Sequence, residues 1–182
     1  DVVLPKDQTC CGALHAPAGE RDQARKLARR NVDAFLRPDV DFIVTNTAGC
    51  GSTLKEYDEL LESDPNYHDK GLEFKRKIRD VLEFLAEIGL HGGMSSMPFA
   101  VTYQDSCHLL HGQKVRSAPR ALLNAIPGVQ FRELPFSEIC CGSAGVYNVV
   151  HDQMAATLIE QKMQMVNLTK AQILTTANPG CM

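Results

Sequence analysis

Seven cysteines are the side chains of this sequence best suited to chemistry, and their spacing is repeated. Cys10-Cys11-Gly12 recurs 130 residues later as Cys140-Cys141-Gly142. A Gly-Cys pair follows the two triplets, ending at Cys50 and at Cys181. A disulfide between adjacent cysteines needs a strained ring, whereas two neighbouring thiolates can hold adjacent metal atoms of one cluster. The duplicated pattern therefore predicts a metal or redox protein.

The two copies differ in how many candidate metal ligands they contain. The candidates are Cys10, Cys11 and Cys50 in the first copy, and Cys107, Cys140, Cys141 and Cys181 in the second. Four thiolates suit an iron–sulfur cluster or a four-cysteine zinc site. Zinc sites usually take ligands in pairs separated by two to four residues, a spacing absent here, so the adjacent cysteines favour a polynuclear cluster. The alternative is that these are buried apolar side chains, as free cysteine often is.

The glycine after each cysteine pair is a candidate cofactor-binding residue. Because glycine has no side chain, Gly12 and Gly142 would let the backbone approach a cluster closely. Their N–H groups would then donate hydrogen bonds to sulfur, which tunes the reduction potential. The sequence shows neither a nucleotide-binding glycine-rich loop nor a flavin site, so no catalytic residue is assigned.

Composition limits the class of protein. The 182 residues, 44% hydrophobic and 23% charged, are typical of a soluble globular chain with one domain or two packed halves. A net charge of −3 argues against a nucleic-acid partner, and no apolar run approaches the ~18 residues that span a bilayer. An odd number of cysteines without a secretory signal predicts reduced thiols in the cytoplasm.

The chain begins at Asp1 rather than Met and stops at Met182, one residue after a motif cysteine. We therefore expect a fragment of a longer polypeptide. In this interpretation, residues 1–66 form a first repeat truncated at its N-terminus. Residues 67–98 form a connecting helix and glycine-rich linker, and residues 99–182 form a second repeat truncated at its C-terminus.

Hydrophobic periodicity predicts the elements that position the cysteines. Each copy is predicted as strand, cysteine loop, amphipathic helix, strand and second cysteine loop. The helices are predicted over residues 20–36 and 150–166, and the strands that follow them over 42–45 and 173–176. The second copy adds a strand over 101–104, a short helix capped by Asp105 or Ser106, a helix over 117–125 and an extended segment over 128–134. Residues 67–89 are predicted as one long helix.

Strand–helix–strand units favour parallel strands joined by right-handed crossovers. The predicted fold class is therefore α/β, with two pseudosymmetric Rossmann-like halves that each contain a parallel sheet. Loops at the carboxyl ends of parallel strands meet at one edge of a sheet. We expect the cysteine loops to lie there, which would gather each set of thiols into one site.

The motifs around the cysteines resemble the CCG cysteine-rich domain family. Heterodisulfide reductase, some succinate and glycerol-3-phosphate dehydrogenases, and lactate and glycolate oxidases share this domain. The likeness is carried by residues 10–15, 46–51, 67–70, 105–109, 111–113, 140–148 and 177–181. Over nearly the whole chain, these motifs are similar to those of glycolate oxidase iron–sulfur subunits.

The resemblance implies an iron–sulfur cluster, first of all of the 4Fe–4S type, and a role in electron transfer. The electrons would come from a flavoprotein partner that carries FAD and oxidises glycolate or a similar 2-hydroxy acid. They would pass to a quinone or another acceptor, with the protein in the cytoplasm or held at the inner face of the membrane by its partners. The fragment alone is not expected to turn over substrate.

Two alternatives stay open beside this interpretation. One is a thiol/disulfide redox centre of the heterodisulfide-reductase kind. That family uses a fifth cysteine three residues after the Gly-Cys cysteine, but Thr53 stands there in the first copy. The other is a zinc-binding scaffold domain, against which the adjacent cysteines argue.

Overall fold

A computed structural model describes residues 1–182, which divide into two compact units. The first unit comprises Asp1–Thr45 and Gly49–Asp80, and the second comprises Asn46–Ala48 and Val81–Met182. Helices and exclusively parallel strand pairs occur in both, so the chain belongs to the α/β class, as predicted. None of its helices combines the length and apolar composition that crossing a bilayer requires.

The first unit packs its helices around a short parallel pair of strands. Its elements are α1 (Arg21–Phe35), β1 (Ile43–Thr45), α2 (Ala48–Lys55, whose first residue belongs to the second unit), α3 (Tyr57–Leu60), α4 (His68–Lys77) and β2 (Ile78–Asp80). Helix α1 buries Ala24, Ala28 and Val32 completely, because a spacing of four residues places them on one face. The strands β1 and β2 pair in parallel, with Ile43 beside Ile78.

Aromatic side chains fill the core of the first unit. The ring of Phe74 stacks on Tyr57 with 5.1 Å between centroids and meets the ring of Phe35 edge-on at 6.3 Å. Phe74 and Tyr57 are both completely buried. The core thus joins α1, α3 and α4 to the strand pair.

The second unit is built on a three-stranded parallel sheet. Its elements are α5 (Val81–Ile88), β3 (Ala100–Gln104), a π-helical turn (His108–Gly112), α6 (Ser117–Ala125), β4 (Gln130–Phe131), α7 (Tyr147–Val150), α8 (Asp152–Leu168), β5 (Ile173–Thr176) and a 3₁₀ turn (Pro179–Cys181). The strand order is β4-β3-β5. All five residues of the central strand β3 are buried, which makes this strand the fixed frame of the unit.

Most of the predicted elements are confirmed. The helices expected over 20–36, 117–125 and 150–166 are α1, α6 and α8, and the strands over 42–45, 101–104 and 173–176 are β1, β3 and β5. The extended segment over 128–134 contains β4. The strand expected before Cys10 is absent, and the two sheets contain two and three strands. The pseudosymmetry of the halves therefore stays a prediction.

The single helix predicted over residues 67–89 is wrong. Helices α4 and α5 are separated there by β2. The backbone becomes extended at Ile78, with φ −68° and ψ 131°. In this strand Ile78 and Asp80 are buried, and Arg79 between them is partly exposed. Apolar periodicity on both sides of residues 78–80 concealed this interruption, because three residues are too few to break a helical pattern.

The core contact of Phe74 yields a stability prediction. We expect Phe74→Ala to lower the free energy of unfolding by about 3–5 kcal/mol, because truncating a buried aromatic leaves a cavity. Leu72→Ala, on the same helix but 38% exposed, should cost about 1 kcal/mol or less. Urea denaturation measures both, and equal losses would contradict the assigned core.

Candidate metal centre

Four cysteines of the second unit lie together. Cys107 follows the end of β3 by three residues, and Cys181 lies in the 3₁₀ turn after β5. Cys140 and Cys141 come from the loop between β4 and α7. The charges of Cys107 and Cys141 act on both Cys140 and Cys181. The structure therefore places the four thiols of these three loops near one another.

Hydrogen-bond donors already point at the sulfur atoms of this site. The backbone N–H of Gly142 donates to Cys140 Sγ at 3.3 Å, and the side-chain amide of Asn178 donates to Cys181 Sγ at 3.7 Å. Such donors stabilise negative charge on sulfur. Cys107 Sγ lies 3.7 Å from Nδ1 of His108 at the start of the π-helical turn. Asn178 was not a sequence-predicted site residue, although its place beside Pro179-Gly180-Cys181 was a usable signal.

Two thiols of this site, Cys141 and Cys181, interact directly. The Cys181 thiol donates to Cys141, which lowers the pKa of Cys141 to about 6 and raises the pKa of Cys181. Burial raises the pKa of Cys140. The lowered pKa favours the thiolate form of Cys141, the form of cysteine that binds metals.

The first unit gathers its three cysteines in a similar way. The Cys11 thiol donates to Cys50, which lowers the pKa of Cys50 to about 7 and raises the pKa of Cys11. The charge of Cys10 acts on the same thiol of Cys50. In both units, then, the second cysteine of the doublet pairs with the cysteine of the later Gly-Cys motif.

Two buried polar side chains hold the first cysteine loop. Asn31 Oδ1 accepts from the Thr9 N–H at 2.9 Å, and its amide nitrogen donates to the Cys10 carbonyl at 3.2 Å. The hydroxyl of Tyr57 donates to the Cys11 carbonyl at 2.9 Å and accepts from the Asn31 amide at 3.0 Å. Burial raises the pKa of Tyr57, which keeps this hydroxyl a donor. Sequence reasoning missed both residues; a polar Asn31 beside buried Val32 on α1 was the available signal.

Each loop glycine packs against the helix that follows it. Gly12 and Gly142 have φ of +86° and +94°, values that favour glycine. A Cβ on Gly142 would lie 2.8 Å from the carbonyl oxygen of Ala155, whereas a Cβ on Gly12 would lie 3.5 Å from Ala24. The second loop therefore packs more tightly against its following helix than the first loop does.

A buried ion pair anchors the start of the Cys107 loop. Arg120 donates to Asp105 at 2.7 Å, and the Ser137 hydroxyl donates to the same carboxylate at 2.7 Å. Burial opposes ionisation of Asp105, but these hydrogen bonds outweigh it and lower its pKa. The prediction that Asp105 or Ser106 caps a short helix is wrong, because the turn begins without a side-chain cap and Asp105 is engaged elsewhere.

The donor set of the second unit fits an iron–sulfur cluster. Four sulfur atoms come from three loops, and two of them already accept N–H hydrogen bonds. Across the described chain, no three His, Cys, Asp or Glu side chains converge closely enough to hold a single metal ion.

Together, the parallel sheet and the loops that gather its thiols define a cysteine-rich α/β domain. The chain belongs to the CCG cysteine-rich domain family, whose profile matches residues 1–55 and 101–182. This confirms the resemblance seen in the sequence motifs.

Several known proteins are similar to the chain over nearly its whole length. It is 42% identical to the probable glycolate oxidase iron–sulfur subunit of Bacillus subtilis (strain 168), with 100% of the chain and 41% of that protein covered. It is 36% identical to an uncharacterised iron–sulfur protein of Methanococcus maripaludis, covering 99% of the chain and 34% of that protein. It is 30% identical to lactate utilization protein A of Oceanobacillus iheyensis, covering 100% of the chain and 74% of that protein. The chain thus spans less than half the length of the first two relatives.

The glycine contacts yield a graded prediction. Gly19→Ala, at φ +89° with no atom within 4 Å of the new Cβ, should cost only the backbone strain of about 1–2 kcal/mol. Gly142→Ala should cost about 1–3 kcal/mol more, because its Cβ meets the Ala155 carbonyl. Gly12→Ala should lie close to Gly19→Ala. Chemical denaturation ranks the three, and a Gly142→Ala loss no larger than the Gly19→Ala loss would refute the close packing.

The thiol pairs yield a second prediction. When metal-free protein is treated with diamide, two disulfides should form first, Cys11–Cys50 and Cys141–Cys181. Each pair places a thiol within hydrogen-bonding reach of a low-pKa partner, whereas a disulfide between adjacent cysteines is strained. Non-reducing peptide mapping identifies the pairs. Dominant Cys10–Cys11 or Cys140–Cys141 bridges would show that the pairing described here is wrong.

Proposed function

We propose that the chain is part of an iron–sulfur subunit that carries electrons from a flavoprotein oxidising a 2-hydroxy acid. The observation that carries this proposal is the gathering of Cys107, Cys140, Cys141 and Cys181 at one site. Membership of the CCG family and the names of the relatives support it. No catalytic residue is assigned to the chain, because in this proposal the hydroxy acid is oxidised elsewhere.

These four cysteines would hold the cluster, which we propose to be of the 4Fe–4S type. Such a cluster takes up and releases one electron at a time. Three features of the chain favour cluster binding here. The lowered pKa of Cys141 favours its thiolate form, and Gly142 and Asn178 stabilise negative sulfur with N–H groups. Cys141 is only 8% exposed, so the surrounding loops limit the access of water to that sulfur.

The substrate class follows from the relatives. One is named for glycolate and another for lactate, and both acids carry a hydroxyl on the carbon next to the carboxylate. Their oxidation removes two electrons and needs a hydride-accepting cofactor. We place that cofactor, FAD, on a partner subunit. The acceptor would be a quinone or a soluble carrier, reached in the cytoplasm or at the inner face of the membrane.

The first site has a second candidate role. Cys10, Cys11 and Cys50 would contribute three ligands to a cluster, yet the hydrogen-bonded Cys11 and Cys50 thiols also suit a thiol/disulfide centre. Thr53 stands where a heterodisulfide-reductase site has its fifth cysteine. A Cys50→Ser variant that keeps full electron delivery but loses a reducible disulfide would favour this second role.

Replacing Cys141 tests the principal proposal. In the complex with its flavoprotein partner, Cys141→Ser should lower iron and sulfide content and abolish delivery of electrons to the acceptor. Flavin reduction by the hydroxy acid should proceed as before, because that step needs no cluster. The measurements are metal and sulfide analysis of anaerobically purified protein, stopped-flow flavin absorbance and acceptor-linked turnover.

Thr157→Ala, an exposed position on α8, is the matched control and should behave like the unsubstituted protein. Full acceptor reduction by Cys141→Ser would remove the second site from the electron path. An unsubstituted protein that contains zinc instead of iron and sulfide would overturn the proposed function altogether.

A further inference from the structure

Lys162 on α8 is an amine buried close to the second cysteine loop. Only 5% of the residue is exposed, and its Nζ donates to the carbonyl oxygen of Phe136 at 2.7 Å. It lines an apolar cavity of about 180 Å³ with Phe136, Ile139, Leu158 and Met165. Burying an ammonium group is costly unless other charges compensate. One hydrogen bond to a neutral carbonyl does not by itself explain why the amine of Lys162 is buried here.

Acidic groups around Lys162 offset part of that cost. Burial lowers the pKa of Lys162, while the charges of Glu138, Cys141, Cys140 and Asp105 act in the opposite direction. Two of these four groups are cysteines of the proposed cluster site. The burial of Lys162 strengthens these interactions, because charges interact more strongly where water is excluded and the effective dielectric constant is lower.

The first unit has a neutral residue at the corresponding place. Each loop glycine faces an alanine of the next helix, Ala24 for Gly12 and Ala155 for Gly142. Seven residues after those alanines stand Asn31 and Lys162. Asn31 holds its loop with a neutral amide that donates to the Cys10 carbonyl, whereas Lys162 reaches a carbonyl before the second doublet with an amine. Both hold a loop, but only the second introduces a charge.

We propose that Lys162 is a positioning residue whose buried positive charge raises the reduction potential of the cluster held by the second unit. The inference rests on the proposed function, since it assumes that Cys107, Cys140, Cys141 and Cys181 ligate an iron–sulfur cluster. Reduction adds one electron to the site and neither makes nor breaks a bond. A fixed cation nearby stabilises the more negative reduced form over the oxidised form, and local charge is one of the factors that set such potentials.

The test separates the charge of Lys162 from its hydrogen bond. Lys162→Gln keeps an N–H donor for the Phe136 carbonyl but removes the charge, whereas Lys162→Arg keeps both. Lys170→Gln removes a charge from an exposed lysine of the same unit. Each protein is loaded with its cluster anaerobically, and its midpoint potential is measured by titration with dithionite, followed by visible absorbance and electron paramagnetic resonance.

The expected result is a lower midpoint potential in Lys162→Gln, with Lys162→Arg and Lys170→Gln close to the unsubstituted protein. An unchanged potential in Lys162→Gln would overturn the proposal and leave Lys162 with a purely structural hydrogen bond. Lys162→Met covers the case in which the glutamine variant does not fold. Loss of the cluster from both neutral variants would also overturn it, because Lys162 would then serve cluster retention. Absence of iron and sulfide from the unsubstituted protein would instead overturn the proposed function itself.

Discussion

The arrangement of both units depends on one electrostatic constraint: several thiols must be held close together, although they repel one another once ionised. Like charges at short range raise the free energy of the charged forms. The protein meets this cost by letting one thiol of a pair donate to the other, Cys11 to Cys50 and Cys181 to Cys141. Backbone and amide N–H groups stabilise sulfur at Cys140 and Cys181 as well. The cysteine loops themselves supply these N–H donors.

The rest of each unit keeps the cysteine loops in place. In the first unit, Asn31 and Tyr57 grip the backbone of Cys10 and Cys11, and the Tyr57 ring stacks on Phe74 in the core. In the second unit, the Asp105–Arg120 ion pair and the Ser137 hydroxyl join the loop after β3 to the loop before Cys140. The geometry of the cysteine loops therefore depends on core packing, because the residues that hold the loops are themselves buried.

Much of the site could be predicted from the sequence, because cysteine spacing and the rule for parallel strands together indicate which thiols meet. The supporting residues could not be predicted so readily. Asn31, Tyr57 and Lys162 act on backbone carbonyls 21 to 46 residues away in the chain, and no local pattern records such a contact. The strand at residues 78–80 was missed for a related reason. Its partner is β1, more than thirty residues earlier, so local periodicity favoured a continuous helix.

The two cysteines of each doublet are neighbours in sequence but occupy unlike surroundings. Cys10 is exposed and Cys140 is half-buried, whereas Cys11 and Cys141 are buried with 8% exposure each. Each doublet thus has an outer thiol and an inner thiol. The outer thiol is therefore more accessible to a reagent or ion in solvent than the inner thiol. The two cysteines of the motif therefore differ in accessibility, a difference that the sequence Cys-Cys does not reveal.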